Sequence, residues 1–178
     1  MSKTSTLQAA PPNVGWRRWR FHLSALLLIL PILYLPKYFD NLALNRGLMG
    51  LGQRPAGEVQ VGPWQLQMAE WEVGPPKSDP AGMVKTFTMA QCENCQDQIR
   101  AVYLRVGKPR SLRAAGSIFF GSPHRAFASL PIPVQTAPDA DIWITAEGWD
   151  GSVHQVAWPI ASASPATADW LKKQGAKQ

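Results

Sequence analysis

From Phe21 to Leu35 the chain is apolar without alternation, whereas from Glu58 onward hydrophobic and polar residues exchange places at every second position. The change of period divides the chain. Residues 16–39, WRRWRFHLSALLLILPILYLPKYF, read as a transmembrane anchor. About 18 apolar residues cross a hydrocarbon core of about 30 Å, a length this run reaches when His22 and the Tyr38–Phe39 edge count as interfacial. Trp16 and Trp19 at one end, with Tyr34 and Tyr38 at the other, suit the two headgroup belts. Pro31 removes one helical hydrogen bond, a loss that membrane helices tolerate better than soluble ones.

Beyond the anchor, the two-residue period predicts strands. Trp64, Leu66 and Met68 share one face; Met83, Lys85, Phe87 and Met89 share another. The stretches IRAVYLRVG, SIFF and RAFASLPIPV continue the pattern. In DIWITAEGWDGSVHQVAWPI, Ile142 and Ile144 alternate with Trp143 and Thr145, Asp150–Gly151 supplies a hairpin turn, and Val153–Trp158 returns. The reading is a mainly β chain: an Ig-like antiparallel β-sandwich of about seven strands after one N-terminal transmembrane helix. Ser164 as a cap and Pro165 at the first helical position predict a short C-terminal helix. Helical spacing of Cys95, Ile99, Val102 and Val106 competes with strand over 92–104, and the aromatic and β-branched residues at 99–106 favour strand. The domain plan is a disordered cytoplasmic tail (1–15), the anchor (16–39), a connector (40–57), the sandwich (58–162), and a short helix with tail (163–178).

Composition supports strands and turns, with 16 Pro, 14 Gly and 8 Trp among 178 residues. The net charge of +6 is confined to residues 1–56, where seven basic side chains face one acidic; the remainder is neutral. A nucleic-acid partner is therefore not expected. Two export signals compete with an uncleaved anchor. NLALNRG offers no A-x-A cleavage pattern, and Arg20 occupies a place where a twin-arginine signal prefers an apolar residue. Arg17, Arg18 and Arg20, set against Lys37 and Arg46 beyond the span, favour a cytoplasmic N-terminus. In a bacterium the protein would be a single-pass inner-membrane protein with its main domain in the periplasm.

Candidate chemistry begins with Cys92 and Cys95, the only cysteines. Covalent haem needs His after the second cysteine, and position 96 is Gln. A thioredoxin-like site needs a βαβ setting that this pattern lacks. Structural zinc needs four ligands, so His124 and His154 would have to converge from distant strands. A local disulfide fits an oxidising compartment and is the expectation. His22 reads as interfacial, His154 as half-buried and His124 as exposed. No Ser/His/Asp set, carboxylate pair or phosphate-binding loop appears, so neither catalysis nor a metal or other cofactor is expected.

One asymmetry points to binding. Gln98–Pro138 holds no acidic residue but carries Arg100, Arg105, Lys108, Arg110, Arg113 and Arg125. If these gather, they form a patch for an acidic partner, anionic lipid or a multiply negative small molecule such as a ferric chelate; otherwise they interleave with the flanking acids. Trp149, in the hairpin turn, is expected to be exposed as a docking feature. Trp16, Arg17, Arg18, Trp19, Arg20 and Tyr38 form the expected membrane-interface set.

YLRVGKPRSLRAAGSIFFGSPHRAF, together with EGWDGSVHQ, resembles a family of small single-pass inner-membrane proteins associated with PepSY-type siderophore reductases, which release iron from chelates such as pyoverdine. The resemblance implies a non-catalytic accessory subunit docked on a multi-pass partner, with the ferric siderophore and the electron-carrying groups belonging to that complex. Members are often labelled thiamine pyrophosphate-binding, but that cofactor's GDG motif with following asparagines is absent here. The alternative is a periplasmic metal or thiol chaperone for a respiratory enzyme, using Cys92 and Cys95 with Met or His.

Overall fold

A computed structural model describes residues 14–45 and 50–176. Residues 1–13 of the expected disordered tail lie outside the described residues. The chain forms two compact units, Met1–Asp40 and Asn41–Gln178. Helix α1 begins at Val14 in the first and ends at Asn45, five residues into the second, and so overruns the expected 16–39 anchor at both ends. Leu42 to Asn45 simply continue the helix past Phe39, with Ala and Leu among the residues that favour it. Pro31 and Pro36 lie inside it. Its most apolar stretch, His22–Leu42, has 21 residues and a mean hydropathy of 1.5, and none of it is buried. At 1.5 Å per residue that stretch is about 31 Å long, the thickness of a bilayer's hydrocarbon core. Among the described residues, this one helix is long and apolar enough to cross a membrane.

The second unit is a sandwich of two antiparallel sheets. One sheet holds β1 (Arg54–Val61), β2 (Trp64–Glu70), β3 (Lys77–Asp79), β4 (Gly82–Gln91), β7 (Phe120–Ser122) and β8 (Arg125–Pro131). The other holds β5 (Ile99–Val106), β6 (Ser117–Ile118), β9 (Asp141–Gly148) and β10 (Val153–Pro159). Seven of these strands have seven to ten residues, which is the expected number; β3, β6 and β7 are short additions at hairpins and edges. The long strands divide four and three, as in an immunoglobulin constant domain. The middle three are connected differently: β4 stays beside β2 with β8 on its far side, and β5 crosses to the second sheet next to β9.

The core lies between the sheets, where alternation delivers Trp64, Leu66 and Met68 from β2 and Phe87 and Met89 from β4. Val102 and Leu104 from β5, and Ile142, Ile144 and Ala146 from β9, face them. Phe87 meets Trp158 edge to face at 5.6 Å. The 92–104 ambiguity resolves into a single helical turn at Glu93–Cys95 followed by strand β5. Two short helices close one end, α2 (Ile160–Ala163) and α3 (Pro165–Gly175), with Ile160, Ala163, Ala168 and Leu171 buried. The Ser164 hydroxyl accepts from the Thr167 amide at 3.3 Å, the cap expected from the Ser–Pro pair.

The connector expected over 40–57 is ordered where it is described. Its first residues finish α1, and its last begin β1. Between them, Leu51 is fully buried against Ala69 and Ala90 on the outer face of the six-stranded sheet. The Thr88 hydroxyl donates to the Leu51 carbonyl, and the Gln53 amide donates to the Trp71 carbonyl at 3.2 Å. Gly52 lies so close that a Cβ there would stand 2.2 Å from the Glu70 carbonyl oxygen.

Candidate docking site

The β9–β10 hairpin turns through Trp149, Asp150 and Gly151. The Gly148 amide donates to the Ser152 carbonyl at 2.8 Å, and Gly151 takes φ +82°, the left-handed position that closes three-residue hairpin loops. Trp149 is thereby the first residue of the loop, and its ring stands 68% exposed. Its backbone is fixed by donation to the Gln98 carbonyl at 3.0 Å. Asp150 Oδ1 accepts from the Ser152 hydroxyl at 2.6 Å and the Ser152 amide at 2.9 Å. Those two bonds, the hydroxyl first, hold the Asp150 carboxyl below the usual carboxylate range.

Beside the loop, the Trp64 indole donates to Gln98 Oε1 at 3.1 Å, and the His154 ring meets Trp64 edge-on at 5.2 Å. Gly62 lets His154 come this close, since a Cβ there would fall 2.3 Å from the imidazole. Together with Pro63, these groups line a cleft of about 430 Å³. The Arg100 guanidinium lies 5.7 Å from the centre of the Trp149 ring and pairs with Glu147 at 3.0 Å. The cleft has aromatic walls and a charged rim, and the Ser152 hydroxyl is committed to Asp150. A cleft of this size with aromatic walls and a charged rim can take up a side chain.

A second cleft of about 430 Å³ lies under the loop from Trp71 to Asp79. Lys85, only 4% exposed, donates from its floor to the carbonyls of Glu72 and Gly74, both at 2.7 Å. Its ammonium stands 3.2 Å from Glu70, itself 1% exposed, and Arg54 binds the other Glu70 oxygen at 2.5 Å. Arg54 also donates to the Ser162 and Ala163 carbonyls at the end of α2. Burial pushes the Lys85 amine below its ordinary value, with Glu70 opposing the shift. Alternation brought Lys85 to the core-facing side of β4, but the pairing with Glu70 was not anticipated. Its signal was available, because Glu70 continues the Leu66–Met68 face.

The six cations of the acid-free stretch fall into separate groups. Arg100 joins Trp149. Toward the opposite end of β5, five extended residues or about 17 Å from Arg100, Arg105 donates to the Ala114 carbonyl at 2.6 Å, and beyond the strand Lys108 lies 5.1 Å from the centre of the Trp143 ring. Arg110 and Arg113 are exposed nearby in sequence. Arg125 sits on the outer sheet face, 5.6 Å from the Phe127 ring, and donates to Gly50. Cys92 and Cys95 are joined in a disulfide across the single helical turn, with Cα atoms 5.4 Å apart. Among the described residues, no group of three His, Cys, Asp or Glu is placed to hold a metal ion. His124 contacts Gln96 at 3.4 Å. Of the interface set, Trp19, Arg20 and Tyr38 are exposed on α1, while the side chains of Trp16, Arg17 and Arg18 lie outside the described part.

Residues 15–161 match the model of a family described as uncharacterised conserved protein UCP029505. The chain belongs to this family. The matched span takes in nearly all of α1 and every strand of the sandwich. No curated protein and no solved structure matches the chain.

Proposed function

We propose that this family member is a non-catalytic accessory subunit, held in the bacterial inner membrane by α1 with its sandwich in the periplasm, that docks on a multi-pass partner through the Trp149 end. The observation that carries the reading is the exposed Trp149 ring beside Arg100 and above an aromatic cleft. Trp and Arg are the residues most enriched where truncation costs an interface about 2 kcal/mol or more. The resemblance of YLRVGKPRSLRAAGSIFFGSPHRAF and EGWDGSVHQ favours a PepSY-type siderophore reductase as the partner. In that complex the partner carries the electrons, and this subunit positions it or its ferric chelate.

Affinity purification of the full chain from solubilised membranes of iron-limited cells tests the proposal. A PepSY-type reductase should co-purify and be lost from the Trp149→Ala variant. Deleting the protein should slow iron release from the siderophore while leaving chelate uptake intact. Unchanged release in the deletion strain rejects the role.

A further inference from the structure

Among the described residues, the outer face of the six-stranded sheet is only half covered. One row of that face runs Ala69, Thr88, Phe127, Phe120 across β2, β4, β8 and β7 in cross-strand register. Leu51 and its neighbours lie over the Ala69–Thr88 half. The other half is open and aromatic. Phe127 packs edge-on against Trp71 at 5.0 Å and lies 6.3 Å from Phe120, whose ring is 64% exposed at the sheet edge. Exposed Val73 follows Trp71, and its amide donates to the Gln53 side chain at 2.8 Å. Over Phe127 lies the Arg125 guanidinium, which also donates to the Gly50 carbonyl at 3.3 Å.

This open half therefore borders the place where the chain enters the sandwich from the apolar helix. Asn45 ends α1 and Gly50 touches Arg125, so the intervening chain reaches at most about 18 Å. We infer that this face, presenting Phe120, Phe127, Trp71 and Arg125, is seated on the headgroup layer of an anionic bilayer, the aromatic rings among the headgroups and the guanidinium against lipid phosphate. Aromatic rings and arginine are the side chains suited to that layer. Gln98–Pro138, which supplies β7 and β8, holds no carboxylate to oppose anionic lipid. The tether keeps the membrane within reach at all times, which makes lipid the occupant favoured over a diffusing protein.

The inference rests on the reading that α1 spans the membrane, and the experiment separates the two. The full chain carries a photo-crosslinking benzoylphenylalanine at position 28, 120 or 149 and is reconstituted in nanodiscs of phosphatidylethanolamine and phosphatidylglycerol. Lipid adducts are then read by mass. Position 28 should label lipid strongly, and position 120 should give several-fold more adduct than position 149. Phe120 and Trp149 are both exposed, so neither replacement disturbs the core. Labelling at 28 with no excess at 120 over 149 overturns the lipid seat and leaves the anchor standing. Absence of adduct at 28 overturns both.

Discussion

Glu70 answers a difficulty that alternation itself creates. A strand that turns every second side chain inward carries Lys85 into the interior with Phe87 and Met89, and an unpaired buried ammonium is too costly to keep. The neighbouring strand supplies the carboxylate from a diagonal core-facing position, Glu70 lying opposite Phe87, and Arg54 closes the set. Glu70→Gln leaves two cations without a counter-charge and is expected to lower stability by about 3–5 kcal/mol. Lys85→Met keeps the Arg54–Glu70 pair and should cost clearly less. Urea unfolding of both variants gives the comparison, and equal losses would show that Glu70 does not hold the set together. The core-facing residues were legible one strand at a time. Which two charged ones would meet was not, because that depends on register between strands joined by the eleven-residue excursion 71–81 through β3.

At the level of elements, the β1–β2 turn and the β9–β10 hairpin make one site by fitting together. Gly62 has φ +60° and faces the His154 ring, so Gly62→Ala brings both backbone strain and a collision. A loss of about 1–3 kcal/mol is expected, as for other overpacked positions, with His154 displaced from Trp64. Thermal unfolding and the ring resonances of His154 and Trp64 report the two effects. Hairpin, terminal helix cap and long strands were readable from local chemistry: Asp150–Gly151, Ser164–Pro165, and the Ile142–Ile144 alternation. The scatter of the arginines was not, because residues adjacent in sequence are carried to opposite ends of a strand; Arg100 and Arg105 lie on one β5 yet serve different ends of it.

For the molecule as a whole, cohesion comes from two sheets sharing one core, and the Cys92–Cys95 link closes too small a loop to contribute much. By chain entropy a ring of that size contributes about 2 kcal/mol. Reduction should therefore lower the unfolding midpoint modestly while circular dichroism still shows the sheets. Alkylation of the unreduced protein should find no free thiol; two free thiols would remove the staple from the account. Sequence periodicity separated helix from sandwich correctly, because a change from unbroken apolarity to alternation is a signal carried by many residues. It gave no hint of how Gly50–Gln53 would lie, since four residues without a period carry no such signal.

That small stretch belongs to the sandwich rather than to a linker. With Leu51 seated in the sheet like any core side chain, most of the apparent slack between Phe39 and Glu58 is consumed by folding. A polar side chain in place of Leu51 would unseat the four residues ahead of β1 and leave Ala69 and Ala90 bare to water.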